Sequence, residues 1–277
     1  CVFFEWAITR YMLRRPTTLL DGSACITGLL LGMNQPSNFP IWMIIVGALV
    51  AIGIGKMTFG GLGCNPFNPA IVGRCFLLVS FPAAMTSWPV AGQQMAYTDA
   101  VTGATPLSLM KTAIKTGDVS VLQGLPDTVD MLLGNVANGY GAGTIGEVCA
   151  LALIAGLIWM LWRRVITWHI PVTILATVFV LSGALHAANP VYAHPMAVVL
   201  SGGLMLGAIF MATDYVTSPM THRGQVIYAV GIGVLTVVIR NWGSYPEGMS
   251  FAILIMNAFT PLINFYVKPK RFGEVSR

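Results

Sequence analysis

Charge is what this sequence has least of. Only 9% of its 277 residues are Asp, Glu, Lys or Arg, against about 25% in a soluble globular domain. Fifteen basic and ten acidic side chains cannot give a fold of this size a water-compatible surface. Disorder is excluded too, because 56% of the residues are hydrophobic and the mean hydropathy is +0.75. The five cysteines (Cys1, Cys25, Cys64, Cys75, Cys149) contain no C-x-x-C pair. A disulfide framework and a cysteine-ligated cluster are therefore not expected, and the thiols read as small packed hydrophobes. No Rossmann fingerprint for a dinucleotide, a glycine-rich turn between a strand and a helix, is expected in this chain of apolar runs. His186 and His194 flank one short loop with no third ligand at a usable spacing, so no metal site is expected. There is neither an initiator Met nor a signal-peptide cleavage site. The chain opens inside an apolar run, which reads as the tail of a helix whose beginning is missing.

What remains is apolar sequence in long runs. About 20 apolar residues cross a bilayer core as a helix. The runs fall at 1–9, 19–33, 41–56, 68–88, 145–162, 166–187, 195–213, 225–240 and 249–267. The fold class this implies is all-α, a polytopic membrane helical bundle. With strict alternation, one side receives Arg10, Arg14, Arg15, Lys56, Arg163, Arg164, Arg223, Lys268, Lys270, Arg271 and Arg277, eleven of the fifteen basic residues. The other side receives Lys111, Lys115 and Arg240, and Arg74 falls inside a span. That bias makes the first side cytoplasmic. The net charge of +5 then reflects membrane topology rather than affinity for nucleic acid. Segment 89–144 becomes extracytoplasmic, with Lys111 and Lys115 against Asp99, Asp118, Asp127 and Asp130. Trp88, Trp159, Trp162, Trp168, Trp242 and Tyr245, near span ends, read as interfacial anchors.

The chain also resembles itself. Residues 24–32 echo 197–207, and a run ending in Lys56 before Phe59-Gly60 echoes one ending in Arg240 before Trp242-Gly243. Lys56 and Arg240 fall on opposite sides, so the repeats are inverted, as in many transporters with a central site. The expected organisation is a first, N-terminally truncated membrane repeat (1–88), the extracytoplasmic loop (89–144), a second repeat (145–267) and a cytoplasmic tail (268–277). With the missing segment restored, each repeat would have about five helices.

Two stretches carry chemistry. In Asp99-Ala-Val-Thr102-Gly103-Ala104-Thr105-Pro106, small neighbours leave the Thr105 hydroxyl open and Pro106 restrains its backbone. An accessible Thr of this kind suits covalent modification by another protein, with Asp99 orienting the segment or a bound metal. In Gly60-Gly61-Leu-Gly63-Cys-Asn65-Pro66-Phe67-Asn68-Pro69, helix cannot continue. Asn65 and Asn68 at the mouth of an apolar run offer amide donors and acceptors, for a ligand ring edge or for a helix N-cap. Four acidic residues sit at span edges: Asp21, Glu147, Asp214 and Glu247. They suit cation or proton passage, or else helix capping and pairing with Arg.

The first stretch matches in full the flavinylation motif D-x-x-[ST]-G-A-T. The second recurs, in order with Asp21-Gly-Ser-Ala24, Gly143-Thr-Ile-Gly-Glu147, Thr213-Asp214, Tyr245-Pro-Glu-Gly-Met249 and Met256-Asn257, in one family. The chain thus resembles, over essentially its whole length, the RnfD/NqrB family of membrane proteins, shared by Rnf complexes and sodium-pumping NADH:quinone reductases. The wording around Asn65 and Asn68, and the chain length, look more like the Rnf member. The resemblance implies an FMN joined to Thr105 through a phosphoester by a flavin transferase, with Asp99, Thr102, Gly103 and Ala104 completing the motif. It also implies a non-covalent riboflavin near Asn65 and Asn68, and no acid–base catalytic residue in this chain. The resemblance places the chain in a bacterial or archaeal cytoplasmic membrane. Its partners would be other membrane and peripheral subunits, including a second FMN subunit and Fe–S subunits. The assembly would couple electron transfer from ferredoxin or NADH to movement of Na⁺ or H⁺. Two departures stand out: Tyr215 where many relatives have Pro, and Asn264 where many have Asp. The alternatives are a quinone-reducing subunit and, in another class, a passive channel or solute transporter, which would have no use for a flavinylation motif.

Overall fold

A computed structural model of the chain describes residues 1–16, 18–89, 103–134, 143–245 and 247–269. Asp99 and Thr102 lie outside these residues. The described elements are helical: α1 (Val2–Ala7), α2 (Ser23–Met33), α3 (Ile41–Leu49), α4 (Pro69–Ser80), α5 (Pro82–Met85), α6 (Pro106–Thr116), α7 (Thr128–Leu133), α8 (Ala150–Trp162), α9 (His169–Ala188), α10 (Pro195–Leu200), α11 (Leu204–Leu206), α12 (His222–Trp242) and α13 (Met249–Tyr266). Helices α1, α3 and α11 each run on into a π-helical turn, at Ile8–Met12, Val50–Ile54 and Gly207–Met211. Four stretches are long and apolar enough to cross a membrane: Ile41–Phe59, His169–Ala188, His222–Trp242 and Met249–Tyr266. At 18 to 21 residues, they are roughly 27 to 32 Å long at 1.5 Å per residue.

The remaining apolar runs are shorter or broken, for identifiable reasons. Helix α2 starts only at Ser23, where Asp21 Oδ1 accepts from Ser23 N at 2.9 Å and Ser23 Oγ at 2.6 Å. The run 68–88 breaks at Phe81, because Pro82 cannot donate to a continuing helix and the Phe81 backbone leaves the helical region. The run 195–213 breaks at Ser201, which is extended, and Gly202, whose φ of +67° is natural only to glycine. Helix α8 begins at Ala150, not 145. Half-helices of this sort are tolerated at membrane depth where they are buried in protein.

Helices α9 and α12 pack along one another, α12 packs on α13, and α13 crosses α4, which also packs on α2 and α3. Thus the three spans on each side of the sequence echo meet through α4 and α13. The main core gathers Leu31, Ile71, Ile174, Leu204, Tyr228 and Ile253 from both halves. Close approach of α3 and α4 requires Gly73, where a Cβ would stand 2.9 Å from the Gly47 carbonyl oxygen. The outer surface is apolar where a soluble protein would be charged: Val180, Leu262 and Phe265 point outward from α9 and α13.

Three expectations change here. Lys56 is not a solvated loop charge: it is 1% exposed and its Nζ lies 2.6 Å from Glu5 Oε2 and 2.6 Å from Ser23 Oγ. Glu5 is fully buried, and its Oε1 accepts from Thr18 Oγ1 at 2.8 Å. Trp88 is buried and is not an interfacial anchor, whereas Trp159, Trp162, Trp168 and Trp242 are exposed. Of the cysteines, Cys75 is buried, but Cys25 and Cys64 are exposed and do not behave as packed hydrophobes.

Candidate functional site around Thr105

Thr105 is the N-cap of α6. Its backbone is extended, Pro106 follows at the first helical position, and Oγ1 accepts from Ser108 N at 3.2 Å. Ser108 Oγ donates back to Thr105 O at 2.7 Å. These are the residue types and spacing that start a helix. Upstream, Gly103 N donates to Trp88 O at 3.0 Å, so the motif backbone is fixed to the end of the first membrane half.

The sequence suggested an exposed hydroxyl. Instead Thr105 is only 8% exposed, because it forms the wall between two cavities. A shallow open one is bounded by Ala83, Thr86, Trp88, Gly103, Ala104 and Ser108. The other reaches into the protein and holds about 800 Å³ of empty space, its mouth included. Its apolar walls include Met85, Trp88, Met131, Leu200 and Tyr245, and its polar groups include Glu147 and Glu247. Tyr245 stacks on Phe251 with centroids 5.7 Å apart, which holds that wall in place. The mix of apolar walls with a few polar groups is that of a cofactor pocket.

Two buried arginines bond to residues that line the pocket. Arg74, 1% exposed on α4, pairs with Glu247 and donates to Asn34 O at 2.8 Å and to Asn34 Oδ1. Arg240, on the last turn of α12, donates to Val198 O at 2.8 Å and Ser201 O at 2.9 Å. It thereby satisfies carbonyls left free where α10 stops. Glu147 Oε1 accepts from Thr144 N at 2.5 Å. Among the described residues no donor reaches Glu147 Oε2.

The other singled-out residues divide clearly. Asn68 is the N-cap of α4: Oδ1 accepts from Ala70 N at 3.0 Å and Ile71 N at 3.4 Å, while Nδ2 donates to Met211 O at 3.3 Å. Asn65 Nδ2 donates to Phe67 O at 2.9 Å within its own loop. Neither asparagine lines the Thr105 pocket. Asp21, at an exposed position, accepts from Ser23 at the start of α2, and Asp214 Oδ2 accepts from Thr217 Oγ1 at 3.1 Å. So Glu147 and Glu247 share the pocket with Thr105, and Asp21 and Asp214 do not. Asn264, one of the two departures, accepts from Met220 N at 3.2 Å; Tyr215 donates its hydroxyl to Val165 O. His194 caps α10 by accepting from Met196 N, and His186 lies 2.6 Å from Tyr192 O. Sequence reasoning missed the Glu5–Lys56 pair; it offered pairing with Arg for Glu247 and left Arg74 unnamed as the partner. Lone charges inside apolar runs are the signal that could have found them.

The chain is similar to several known proteins. The chain is 45% identical over 267 residues to the D subunit of the Na⁺-translocating ferredoxin:NAD⁺ oxidoreductase complex of Acetobacterium woodii, covering 96% of this chain and 78% of that protein. It is 41% identical over 277 residues to the D subunit of the proton-translocating ferredoxin:NAD⁺ oxidoreductase complex of Clostridium ljungdahlii, covering 96% and 80%. It is 38% identical over 291 residues to the D subunit of the ion-translocating oxidoreductase complex of Stutzerimonas stutzeri, again covering 96% and 80%. The NQR2, RnfD, RnfE family matches residues 1–273, and this polytopic helical membrane protein belongs to that family.

Proposed function

We propose that this chain is the RnfD member of an Rnf-type ion-translocating ferredoxin:NAD⁺ oxidoreductase complex and carries FMN on Thr105. The observation that carries the flavin reading is the position of the Thr105 hydroxyl, at once on a helix N-terminus and on the wall of a pocket lined by apolar and aromatic side chains. A helix N-terminus favours negative charge through its free N–H groups and dipole. A phosphoester on the N-cap oxygen of the 11-residue helix α6 places the phosphate in that field. The same side chain opens onto apolar and aromatic walls of the kind that receive a planar ring system.

Bound FMN supplies reversible electron transfer, which asks of the protein attachment, orientation and electrostatic tuning rather than acid–base catalysis. Thr105 gives attachment, with Gly103 and Ala104 keeping the approach clear for a flavin transferase. Trp88, Met85 and Tyr245 bound the ring space. Glu247 arrives already neutralised by Arg74. Glu147, with one oxygen free of donors among the described residues, is an acidic group in the pocket able to take up a proton or cation. It is the member of the acidic set best placed for an ion path. A riboflavin near Asn65 and Asn68 would have to compete with the capping and loop bonds those amides make.

In this reading the complex lies in the cytoplasmic membrane with segment 89–144 outside. Other Rnf subunits supply the ferredoxin and NAD chemistry, and the assembly moves Na⁺ or H⁺. The names of the three relatives favour this over the quinone-reducing branch of the family. The test is in-gel flavin fluorescence of this chain under denaturing conditions after co-expression with a flavin transferase. Thr105→Val keeps the shape and removes the acceptor oxygen, so fluorescence should vanish. Persistent fluorescence in that variant refutes attachment at Thr105.

A further inference from the structure

A second pocket lies on the other side of α6, between that helix, the C-terminal turns of α9 and α12, and the approach to α10. It holds about 450 Å³ of empty space, its mouth included. Residues Leu107, Met110, Lys111 and Ile114 all line it. Their spacing is one helical face, the inner face of an amphipathic helix. A lysine on that face is unusual, because an apolar side chain is expected there. Lys111 is nonetheless 8% exposed, and its Nζ donates to Gly243 O, the C-cap of α12, at 2.6 Å. One ammonium has three donors, and this bond uses one of them. Arg240, 5% exposed, lines the same pocket. Both its terminal nitrogens are bonded to carbonyls, while among the described residues Nε has no partner. No carboxylate among the described residues lies in ion-pair distance of either cation, and Glu147 acts on Arg240 only from beyond that distance. Burial pulls the Lys111 ammonium below its usual pKa, and nearby Lys115 adds to this. The rest of the lining is largely aliphatic, including Leu185, Val198 and Val237.

Two buried cations in an aliphatic pocket, neither touching a carboxylate among the described residues, call for a ligand with an anion at one end and hydrocarbon at the other. The pocket sits where two helices of 20 and 21 residues end together, which is headgroup depth for spans of that length. We propose that the pocket formed by α6, α9 and α12 binds the phosphate of an anionic phospholipid through Lys111 and Arg240, with acyl chain against Leu185 and Val237. Charge-assisted hydrogen bonds from Lys and Arg are strong contacts to phosphate oxygens. The bound lipid then fixes α6, the helix that begins at Thr105, onto the membrane bundle.

The test uses the assembled complex in nanodiscs containing a photoreactive phosphatidylglycerol. Crosslinked peptides should map to 182–193 or 237–242. Lys111→Gln should lower that adduct at least tenfold. Lys115→Gln removes the same charge from the exposed face of α6 and should leave the adduct unchanged. Equal crosslinking in the Lys111 variant, or equal loss in the Lys115 variant, overturns the proposal. So does displacement of the lipid by millimolar inorganic phosphate, which would make the ligand a free anion. Should the Lys111 variant not assemble, Ile114→Trp fills the apolar wall while keeping both cations, and an unchanged adduct there overturns the site. None of these outcomes depends on the flavin.

Discussion

The Glu5–Lys56 pair can be tested quantitatively. Both side chains are essentially buried, at 0% and 2% exposure, and they meet at 2.6 Å. Thr18 and Ser23 add one hydrogen bond to each partner. Glu5→Met leaves the Lys56 ammonium buried with only the Ser23 hydroxyl, and Lys56→Met leaves the carboxylate with only Thr18. Stranding one half of a buried pair costs about 3–5 kcal/mol. At about 2–4 °C per kcal/mol for a chain of this order of size, each single variant should melt roughly 6 to 20 °C lower. Glu5→Met with Lys56→Met behaves differently. Removing both charges together removes both desolvation penalties, and apolar replacements of a buried pair are often neutral. Only the Thr18 bond is then lost outright, at about 1 kcal/mol, because Ser23 still bonds Asp21. The double variant should therefore melt within a few degrees of the parent and well above either single. Thermal unfolding in mild detergent, followed by fluorescence-detected size exclusion, reads this directly. Losses near those of an exposed pair, about 0–1 kcal/mol, or strictly additive losses, would show that water reaches these charges and that the reasoning is wrong.

Two further outcomes follow from the geometry. Asn68→Asp keeps the oxygen that caps α4 and loses the donor to Met211, whereas Asn68→Leu loses both; the Leu variant should be less stable than the Asp variant by about 1 kcal/mol, and riboflavin content unchanged in both would leave Asn68 a capping residue alone. With single cysteines introduced into a chain cleared of its own thiols, position 115 should label with a membrane-impermeant maleimide from outside and position 163 only after permeabilisation; the reverse pattern inverts the topology.

The helical bundle was legible because apolar runs report directly on membrane spans. What the runs could not report is continuity. Residues 68–88 and 195–213 look like single spans, but Pro82 removes one donor and Gly202 adopts a left-handed turn, so each becomes two pieces. The motif around Thr105 is local and compact, so the sequence alone singles it out. The cavity beside Thr105 was not legible, since Trp88, Glu147 and Tyr245 come together only through folding. The ion pairs stayed hidden for the same reason. Glu5 and Lys56 are 51 residues apart, and Arg74 and Glu247 are 173 apart. Counting Lys56 as a loop charge followed from its place at the end of a run. A charge at a run's end can turn inward when a partner waits on a neighbouring helix.

The gap between α10 and α11 has a mechanical consequence. Its free carbonyls are gripped from outside the segment, by one guanidinium on α12. Ser201 and Gly202 are also part of the lining beside Thr105. Any sliding or rotation of α12 must therefore drag that lining along, or sever two charge-assisted bonds at about 1.5–3 kcal/mol each. A long rod through the bilayer is thus geared to the floor of a chamber at its end, and motion at one cannot be silent at the other.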